Sequence, residues 1–300
     1  MTKISQVIKF DQEPWMRPYI ETNNEIRREA QVKGIKSVAS LAKLMNNSVF
    51  GKTMENVKKR SNVKIYLTSD HGGFEKQKSS VRFVDFKKIT NNLVALHMKP
   101  FRIGLNKPIY IGQAILDISK VLMYDFYYNI LKRKYNDKMK MIYTDTDSLI
   151  IKFETENIYS DLEEFKDIFD NSETCRENLI DSTNMKVPGK FKDETKGIAI
   201  KEVVALGAKS YSYITVNDKE DCKAKGIKKA NIKKDLNHEI YKDCLFNSRM
   251  DMKVTQYNIE SKNHELGVYE HVKTSLTAFD SKKIIYEDKI NCYPLGYALK

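Results

Sequence analysis

Residues 142–150 have the sequence IYTDTDSLI, in which two aspartates stand in a short polar turn between apolar segments. The flanking residues, 139–143 and 149–153, are rich in β-formers, and two such segments around a polar turn predict a β-hairpin. In an extended chain, residues i and i+2 point to the same side, so Asp145 and Asp147 are expected to converge. Two carboxylates that close repel each other unless a cation lies between them, and a hard divalent cation such as Mg²⁺ suits their oxygens. The spacing alone leaves a second interpretation open, in which the aspartates only shape the turn.

The composition favours a polyanionic partner. The 300 residues include 52 Lys and Arg against 40 Asp and Glu, for a formal net charge of +12, and 41% are hydrophobic. A chain of this length can form one large or two smaller domains with real cores. The positive excess favours nucleic acid as a partner, and a merely soluble basic protein is the alternative. We find no apolar stretch of the roughly 18 residues that a membrane helix needs and no signal-peptide segment, so no membrane partner is predicted and the localisation stays unassigned.

A second chemical pattern lies on a helix that we predict at residues 37–58. At 100° per residue, Lys43, Asn47 and Phe50 share one face of this helix. The opposite, apolar face consists of Leu41, Leu44, Met45, Ser48 and Val49. Gly51 costs about 1 kcal/mol relative to alanine inside a helix, which suggests that a partner approaches closely there. The alternative is an ordinary amphipathic helix with a solvated lysine.

These patterns resemble motifs of the family B DNA polymerases. Residues 143–148, YTDTDS, resemble motif C, the palm hairpin that holds two catalytic metal ions in that family. Residues 43–51, KLMNNSVFG, resemble motif B, Lys-x-x-x-Asn-Ser-x-Tyr-Gly, which lies on a fingers helix over the incoming nucleotide. Residues 209–211, KSY, resemble the Lys-x-Tyr motif that contacts the primer terminus, and residues 222–229 are similar to a Lys-x-x-Gly segment that enters the thumb of protein-primed members. The motifs follow one another in the family's order, and the resemblance runs from about Trp15 to the end.

The resemblance implies template-directed transfer of deoxynucleotides from their triphosphates to the 3′ end of a DNA primer, with two Mg²⁺ ions. Asp147 would be the direct catalytic metal ligand and Asp145 the supporting one. The implied nucleotide-binding residues are Lys43, Asn47, Ser48, Phe50 and Gly51. The implied contacts to primer and DNA are Lys209, Tyr211, Lys225, Lys228 and Lys229. Phe50 stands where the family usually has Tyr, which keeps a ring to stack and to exclude a ribose 2′-hydroxyl but removes the phenol oxygen. The organellar, viral and transposon-like members that the chain most resembles add a terminal protein primer as a candidate partner.

The fold class that follows is α+β, a polymerase palm with an antiparallel sheet backed by helices, together with helical fingers and a mixed thumb. We predict a lead-in at 1–20, fingers helices at 21–60, a palm with a β-rich insertion at 61–226, and a thumb at 227–300.

The local patterns predict these elements one by one. The helical pattern of residues 21–57 has a break near Gly34, with Asn23 or Asn24 as the N-terminal cap. Short strands are expected at 63–67, 81–84, 93–98, 198–206 and 210–216, and a polar loop at 69–73. A long helix is expected at 109–135, with an apolar face that includes Ile111, Ile115, Ile118, Leu122 and Phe126. The resemblance to a polymerase palm implies that this helix packs under the hairpin. The acidic segment 159–170 is also expected to be helical.

One departure from the family pattern limits the expected activity. No segment before Lys43 matches motif A, Asp-x-x-Ser-Leu-Tyr-Pro, which supplies the other metal-binding aspartate, and the exonuclease carboxylates are not found either. We therefore expect an incomplete two-metal site in a polymerase fragment that is inactive alone, with Asp11 and Asp85 as the first candidates for a substitute carboxylate. A non-catalytic nucleic-acid-binding remnant is the alternative. A metal nuclease on the same hairpin would explain motif C but not motif B.

Overall fold

The computed structural model of the chain describes residues 3–7, 9, 11–67, 69–247, 252–262, 264–279, 283–286, 292–294 and 296. The fold is mixed α+β with antiparallel sheets, as predicted at this coarse level. The α-helices are α1 (Arg17–Val32), α2 (Lys36–Thr53), α3 (His71–Lys78), α4 (Ile109–Tyr124), α5 (Lys132–Tyr135), α6 (Ile158–Leu162), α7 (Lys229–Asp235) and α8 (His238–Phe246). The strands are β1 (Asn62–Leu67), β2 (Phe83–Thr90), β3 (Leu93–Met98), β4 (Met139–Asp145), β5 (Ser148–Phe153), β6 (Ile200–Gly207), β7 (Ser210–Thr215), β8 (Glu220–Lys223), β9 (Met252–Lys262), β10 (Glu265–Leu276), β11 (Lys283–Ile285) and β12 (Cys292–Pro294). None of the described helices combines the length and the apolar composition that crossing a membrane requires.

The first two helices form an antiparallel pair that is joined by a buried cluster of amides. The break between α1 and α2 falls at Gly34, as predicted, and this glycine has the left-handed φ of 72°. Helix α1 begins at Arg17, four residues earlier than predicted, and Asn23 and Asn24 are buried inside it, so the prediction that one of them caps the helix is wrong. Asn23 donates to Asn46 Oδ1 at 2.8 Å, and Asn46 donates to Asn24 Oδ1 at 3.1 Å. Buried amides require partners, and the half-buried Asn46 supplies one to each of the two buried asparagines.

Helix α2 buries a different face from the one predicted. Its buried residue is Ala42, whereas Leu41 and Leu44 are 56% and 62% exposed. Small residues and the amide cluster allow α1 to lie close along this side of α2, and the leucines point away from it. The helix also ends at Thr53, not at residue 58.

The β-rich segment after α2 is a three-stranded sheet in the order β1-β3-β2. Strand β2 is longer than predicted and begins later, at Phe83. The loop predicted at 69–73 is wrong in part, because helix α3 begins at His71. Asp70 caps that helix by accepting the backbone N–H of Gly73 at 3.1 Å, a role for which aspartate is well suited.

The long helix predicted at 109–135 exists, as α4, a π-helical segment Asp125–Leu131 and α5 in succession. Its last part packs with the β4–β5 hairpin around a core of Phe126, Leu131, Tyr135 and Met139, against which Leu149, Ile151 and Phe153 lie. The predicted packing face is wrong for its first part. Ile118 is 66% exposed and Leu122 is 41% exposed, because the hairpin covers only the end of the helix.

The segment predicted as a helix at 159–170 contains only residues 159–162 of α6 and a 3₁₀ segment, Glu163–Ile168. The long connection up to β6 is mostly irregular.

A second core unites the C-terminal elements. It consists of Val204, Ala224, Ile227, Ile232, Leu236, Tyr241, Cys244, Val254 and Leu276. These residues come from β6, α7, α8, β9, β10 and the loop after β8, so the predicted boundary at 226/227 falls inside this core. In the described residues β4 and β5 form a sheet of their own, separate from the sheet β6-β7-β8.

Candidate functional site

The tip of the β4–β5 hairpin is a two-residue turn. Asp145 pairs with Ser148, which leaves Thr146 and Asp147 in the turn itself. Thr146 has the left-handed φ of 55°, and the backbone N–H of Asp147 donates to the carbonyl of Asp145 at 2.6 Å. The two aspartates are therefore not i and i+2 of one extended strand, and that part of the prediction is wrong.

The β6–β7 hairpin presents a similar tip. Gly207 pairs with Ser210, so Ala208 and Lys209 form the turn, and Lys209 has the left-handed φ of 61°. A lysine in this region is uncommon and carries some strain, which the surrounding contacts must offset. The period of two in a strand would predict that Lys209 and Tyr211 share one face. That prediction is wrong, because Lys209 lies in the turn and only Tyr211 lies in β7.

The two tips meet in a contact that we call the hairpin junction, made of Tyr143, Asp145, Lys209 and Tyr211. The Lys209 ammonium donates to Asp145 Oδ2 at 2.5 Å. The backbone N–H of Lys209 donates to the Tyr143 hydroxyl at 2.7 Å. The rings of Tyr143 and Tyr211 pack with centroids 4.7 Å apart at an angle of 45°. Folding thus brings two of the predicted site segments into direct contact.

Both aspartates act on the ammonium at this junction. The hydrogen bond to Asp145 is the largest cause that raises the pKa of Lys209 above its ordinary value, and burial opposes it. The negative charges of Asp145 and Asp147 raise this pKa further. Burial is also the main cause that raises the pKa of Tyr211.

Tyr143 was not among the predicted site residues, although the sequence contains a signal for it. It lies two positions before Asp145 on β4, and the period of two in a strand puts both side chains on one face. Its hydroxyl and its ring both contact the second hairpin.

The predicted nucleotide-binding residues lie together on α2. Lys43, Asn47 and Phe50 are exposed, and in the part of the chain that is described no hydrogen bond or ion pair joins Lys43 or Asn47 to the tip. Ser48 donates to the carbonyl of Met45 at 2.8 Å within the helix. An added Cβ on Gly51 would meet open space, so the expected close approach of a partner there stays a prediction.

The close approach within this chain occurs at another glycine, Gly112 of α4. A Cβ there would lie 2.2 Å from Met54 Cγ and 2.9 Å from Thr53 Oγ1. The end of α2 thus packs directly on the beginning of α4, which leads on to the core under the hairpin.

Of the predicted DNA-contacting lysines near the thumb, Lys225 and Lys228 lie in the loop before α7, and Lys229 is the first residue of that helix. The backbone N–H of Lys228 donates to Gln256 Oε1 at 3.1 Å, and Gln256 Nε2 donates to the carbonyl of Gly226 at 3.2 Å. The ammonium of Lys228 bonds the carbonyl of Tyr257. Lys225 and Lys229 are exposed, and the described residues provide no ion pair for either of them.

The candidate substitutes for a third carboxylate are not at the hairpin tip. Asp85 Oδ1 accepts the backbone N–H of Phe86 at 2.7 Å, and Asp85 lines a cavity of about 150 Å³ with His97 and His264. Asp11 is exposed near the beginning of the chain. No group of three or more His, Cys, Asp or Glu residues among those described is arranged to hold a metal ion.

No protein-family model, no curated protein and no solved structure matches this chain.

Proposed function

We propose that this chain is part of a template-directed DNA polymerase of the family B type, with the primer end placed at the hairpin junction. The reaction would join the primer 3′-oxygen to the α-phosphorus of a deoxynucleoside triphosphate, with pyrophosphate as the leaving group and loss of the hydroxyl proton. The supporting observation is the junction itself. Two sequence segments resemble separate polymerase motifs, and Asp145 and Lys209 within them are 64 residues apart. They place one carboxylate, an ammonium and two tyrosine rings in contact.

The carboxylates at the hairpin tip provide some, but not all, of the ligands that a magnesium site needs. Carboxylate oxygens are the ligands that Mg²⁺ prefers, and Asp145 already bonds a cation, the ammonium of Lys209. When bound, a pair of divalent cations would polarise the primer 3′-oxygen and neutralise charge on the leaving pyrophosphate. Asp145 and Asp147 would hold such ions from one edge only, so the proposal includes a third carboxylate from outside the described residues.

The other residues of the chain would bind and orient the substrates. The Lys209 ammonium, on a flexible stem, would bind a phosphate near the primer end, and the packed ring of Tyr211 would limit how far the terminal nucleotide can shift. Lys43 would neutralise triphosphate oxygens from the exposed side of α2, and Phe50 would lie against the nascent base pair or its sugar. Because α2 packs on α4, these residues are carried by helices that continue to the core beneath the hairpin.

The placement of the primer end can be tested by photo-crosslinking, without catalysis. Tyr211 is replaced by a photoreactive azidophenylalanine, and the chain is bound to a primer–template whose primer is 5′-labelled. We expect crosslinks at the primer 3′-terminal nucleotide that move by one position when the primer is lengthened by one. The matched control is the same replacement at Tyr66 on β1, which should not follow the primer end. Crosslinks that spread evenly along the duplex, or that are equal at both positions, would contradict the proposal.

A second candidate is a nucleic-acid-binding protein that has lost catalysis. The observation that favours it is the lack, among the described residues, of a third carboxylate beside Asp145 and Asp147. Both candidates bind primer–template DNA, and they differ in whether a supplied third carboxylate restores nucleotide transfer.

A further inference from the structure

Lys209 already occupies the carboxylate at which a divalent cation is expected. Its ammonium lies 2.5 Å from Asp145 Oδ2. A cation bound to the same oxygen would face a like charge at contact distance, which is unfavourable for both. The ammonium and a divalent cation therefore compete for Asp145.

We propose that Lys209 is an internal counter-ion of the hairpin tip, which a divalent cation displaces from Asp145, and that a DNA phosphate binds the displaced ammonium. This inference rests on the proposed function and adds a coupling between metal and DNA binding to it. Reciprocity follows, because two ligands that both favour the released lysine must each strengthen the binding of the other.

The geometry allows the side chain to move while the backbone stays in place. The backbone N–H of Lys209 is bound by the Tyr143 hydroxyl, and the Tyr143 ring packs on Tyr211. The Lys209 side chain is 61% exposed and has a flexible four-carbon stem. The ammonium can therefore leave Asp145 without opening the hairpin junction. Tyr143 is then a positioning residue, since it fixes the point from which the lysine reaches either partner.

The chain contains a matched lysine for comparison. Lys201, on β6 of the same hairpin, pairs with Asp218 at 3.5 Å, and its side chain is 62% exposed. The two pairs have the same charges and lysines of nearly equal exposure, although Asp218 is 82% exposed and Asp145 is 30% exposed. The resemblance assigns Lys201 no metal or substrate.

The metal half of the proposal is tested with Mn²⁺ alone, by measuring free Mn²⁺ with electron paramagnetic resonance. The chains are wild type, Lys209→Met, which keeps the aliphatic stem, Lys209→Ala, and Lys201→Met as control. The measured quantity is Asp145-dependent binding, the difference between each chain and the same chain with Asp145→Asn. Exposed ion pairs are weak, so we expect both Lys209 variants to bind Mn²⁺ about two- to fivefold more tightly than wild type. We expect no change for Lys201→Met. Equal or weaker binding by folded Lys209 variants would overturn the proposal.

The DNA half is tested in chelator, so that metal is absent. Asp145→Asn releases Lys209, and we expect log K for primer–template DNA to fall more steeply with log salt, by about 0.9 in slope, as for one added phosphate contact. The increase should vanish when Lys209→Met is combined with Asp145→Asn, and Asp218→Asn should not reproduce it. A slope that is unchanged, or that changes equally without Lys209, would overturn this half.

Neither measurement depends on nucleotide incorporation. If the chain extends primers but the Lys209 variants bind Mn²⁺ with the affinity of wild type, the proposed function stands and this inference is contradicted. If Lys209 competes with Mn²⁺ but position 211 does not crosslink to the primer end, this inference stands and the proposed function is contradicted.

Discussion

The Tyr143 hydroxyl accepts a hydrogen bond of 2.7 Å from the backbone N–H of Lys209, which is 66 residues further along the chain. It joins the two hairpins at their tips together with the ion pair between Lys209 and Asp145 and the packing of the Tyr143 and Tyr211 rings. The bond fixes the backbone of a residue with the unusual φ of 61°, so it also stabilises the turn from which the Lys209 side chain extends.

Replacing this hydroxyl should loosen the β6–β7 tip. In Tyr143→Phe the ring packing stays but the acceptor is lost, and a net hydrogen bond of typical strength corresponds to about 2- to 12-fold faster local opening. Amide hydrogen exchange of residues 207–211 measures this directly. Tyr257→Phe is the control, because its hydroxyl bonds the exposed Glu270 and should leave the tip unchanged. Equal exchange in wild type and Tyr143→Phe would show that the bond does not stabilise the tip.

Replacement of two helical glycines by alanine should change the stability of the chain in opposite directions. Gly112→Ala puts a Cβ 2.2 Å from Met54 Cγ, and overpacking of this kind typically costs about 1–3 kcal/mol. Gly51→Ala meets open space inside α2 and should stabilise that helix by about 0.5–1 kcal/mol. Thermal unfolding followed by circular dichroism compares the two variants. A destabilised Gly51→Ala chain would mean that a contact at this position has been missed.

If the interpretation of motif B is also correct, the two glycines differ again in ligand binding. Gly51→Ala should weaken nucleotide binding while it stabilises the helix, because its methyl group stands where the base pair is proposed to lie. A stabilised chain with unchanged nucleotide affinity would contradict the motif B assignment.

The connection before β6 should loosen at acidic pH. Glu173 pairs with Lys192 at 2.8 Å and with Lys186 and Lys196 at 3.1 Å each. The hydrogen bond from Lys192 is the largest cause that lowers the pKa of Glu173 from 4.5 to about 2. Because the folded pKa is depressed, the stabilisation is complete above about pH 4.5 and is lost as the pH falls towards 2.

Limited proteolysis of residues 186–196 with an acid-stable protease measures that loss. Glu173→Gln should be cleaved faster than wild type at pH 5, and the difference should shrink as the pH falls towards 2. Glu177→Gln is the control, since the described contacts give Glu177 no lysine partner. A difference that does not depend on pH would mean that packing, not charge, stabilises this connection.

Binding to primer–template DNA should depend steeply on salt, given the net charge of +12. Each neutralised phosphate contributes about −0.9 to the slope of log K against log salt. Lys225→Ala and Lys229→Ala should each reduce the slope by about that amount. Lys228→Ala should have a smaller effect, because its ammonium bonds the Tyr257 carbonyl. Fluorescence anisotropy at several salt concentrations gives the slopes, and a flat response in wild type would exclude a phosphate-binding surface.

The features that the sequence predicts correctly depend on residues that are close together along the chain. The β4–β5 hairpin and the break at Gly34 are local, because alternation, turn residues and a left-handed glycine act within a few positions. The contact between Asp145 and Lys209 is not local, and no periodicity indicates that these two turns meet. The motif resemblance predicts that Asp145 and Lys209 belong to one site, but it does not predict the direct contact between them.

The largest error concerned which helix faces are covered. Amphipathic spacing predicted buried leucines on α2, but the contact with α1 uses Ala42 and a cluster of asparagines. The spacing of apolar residues identifies an apolar face of a helix but not the element that packs against it. Small residues and hydrogen bonds between amides can determine the packing instead. On α4 the same limit applies, because the hairpin covers only the end of the helical segment.

The last prediction is that the chain as given extends primers very slowly and that a third carboxylate restores the reaction. In two-metal catalysis the ions are fixed between carboxylates on separate strands, and positioning and electrostatics supply nearly all of the rate of phosphoryl transfer. Here Asp145 and Asp147 belong to one tip, and the candidate Asp85 lies in the cavity beside His97 and His264. Loss of that positioning should cost several orders of magnitude in rate.

Adding an upstream segment that carries the Asp-x-x-Ser-Leu-Tyr-Pro motif should recover template-directed extension, and Asp147→Ala should then abolish it. In the same extended chain, Phe50→Ala should raise the use of ribonucleotides and leave Mn²⁺ binding unchanged. Fast, Asp147-dependent extension by the 300 residues alone would refute this prediction, and Asp11→Ala and Asp85→Ala would then identify the carboxylate that completes the site.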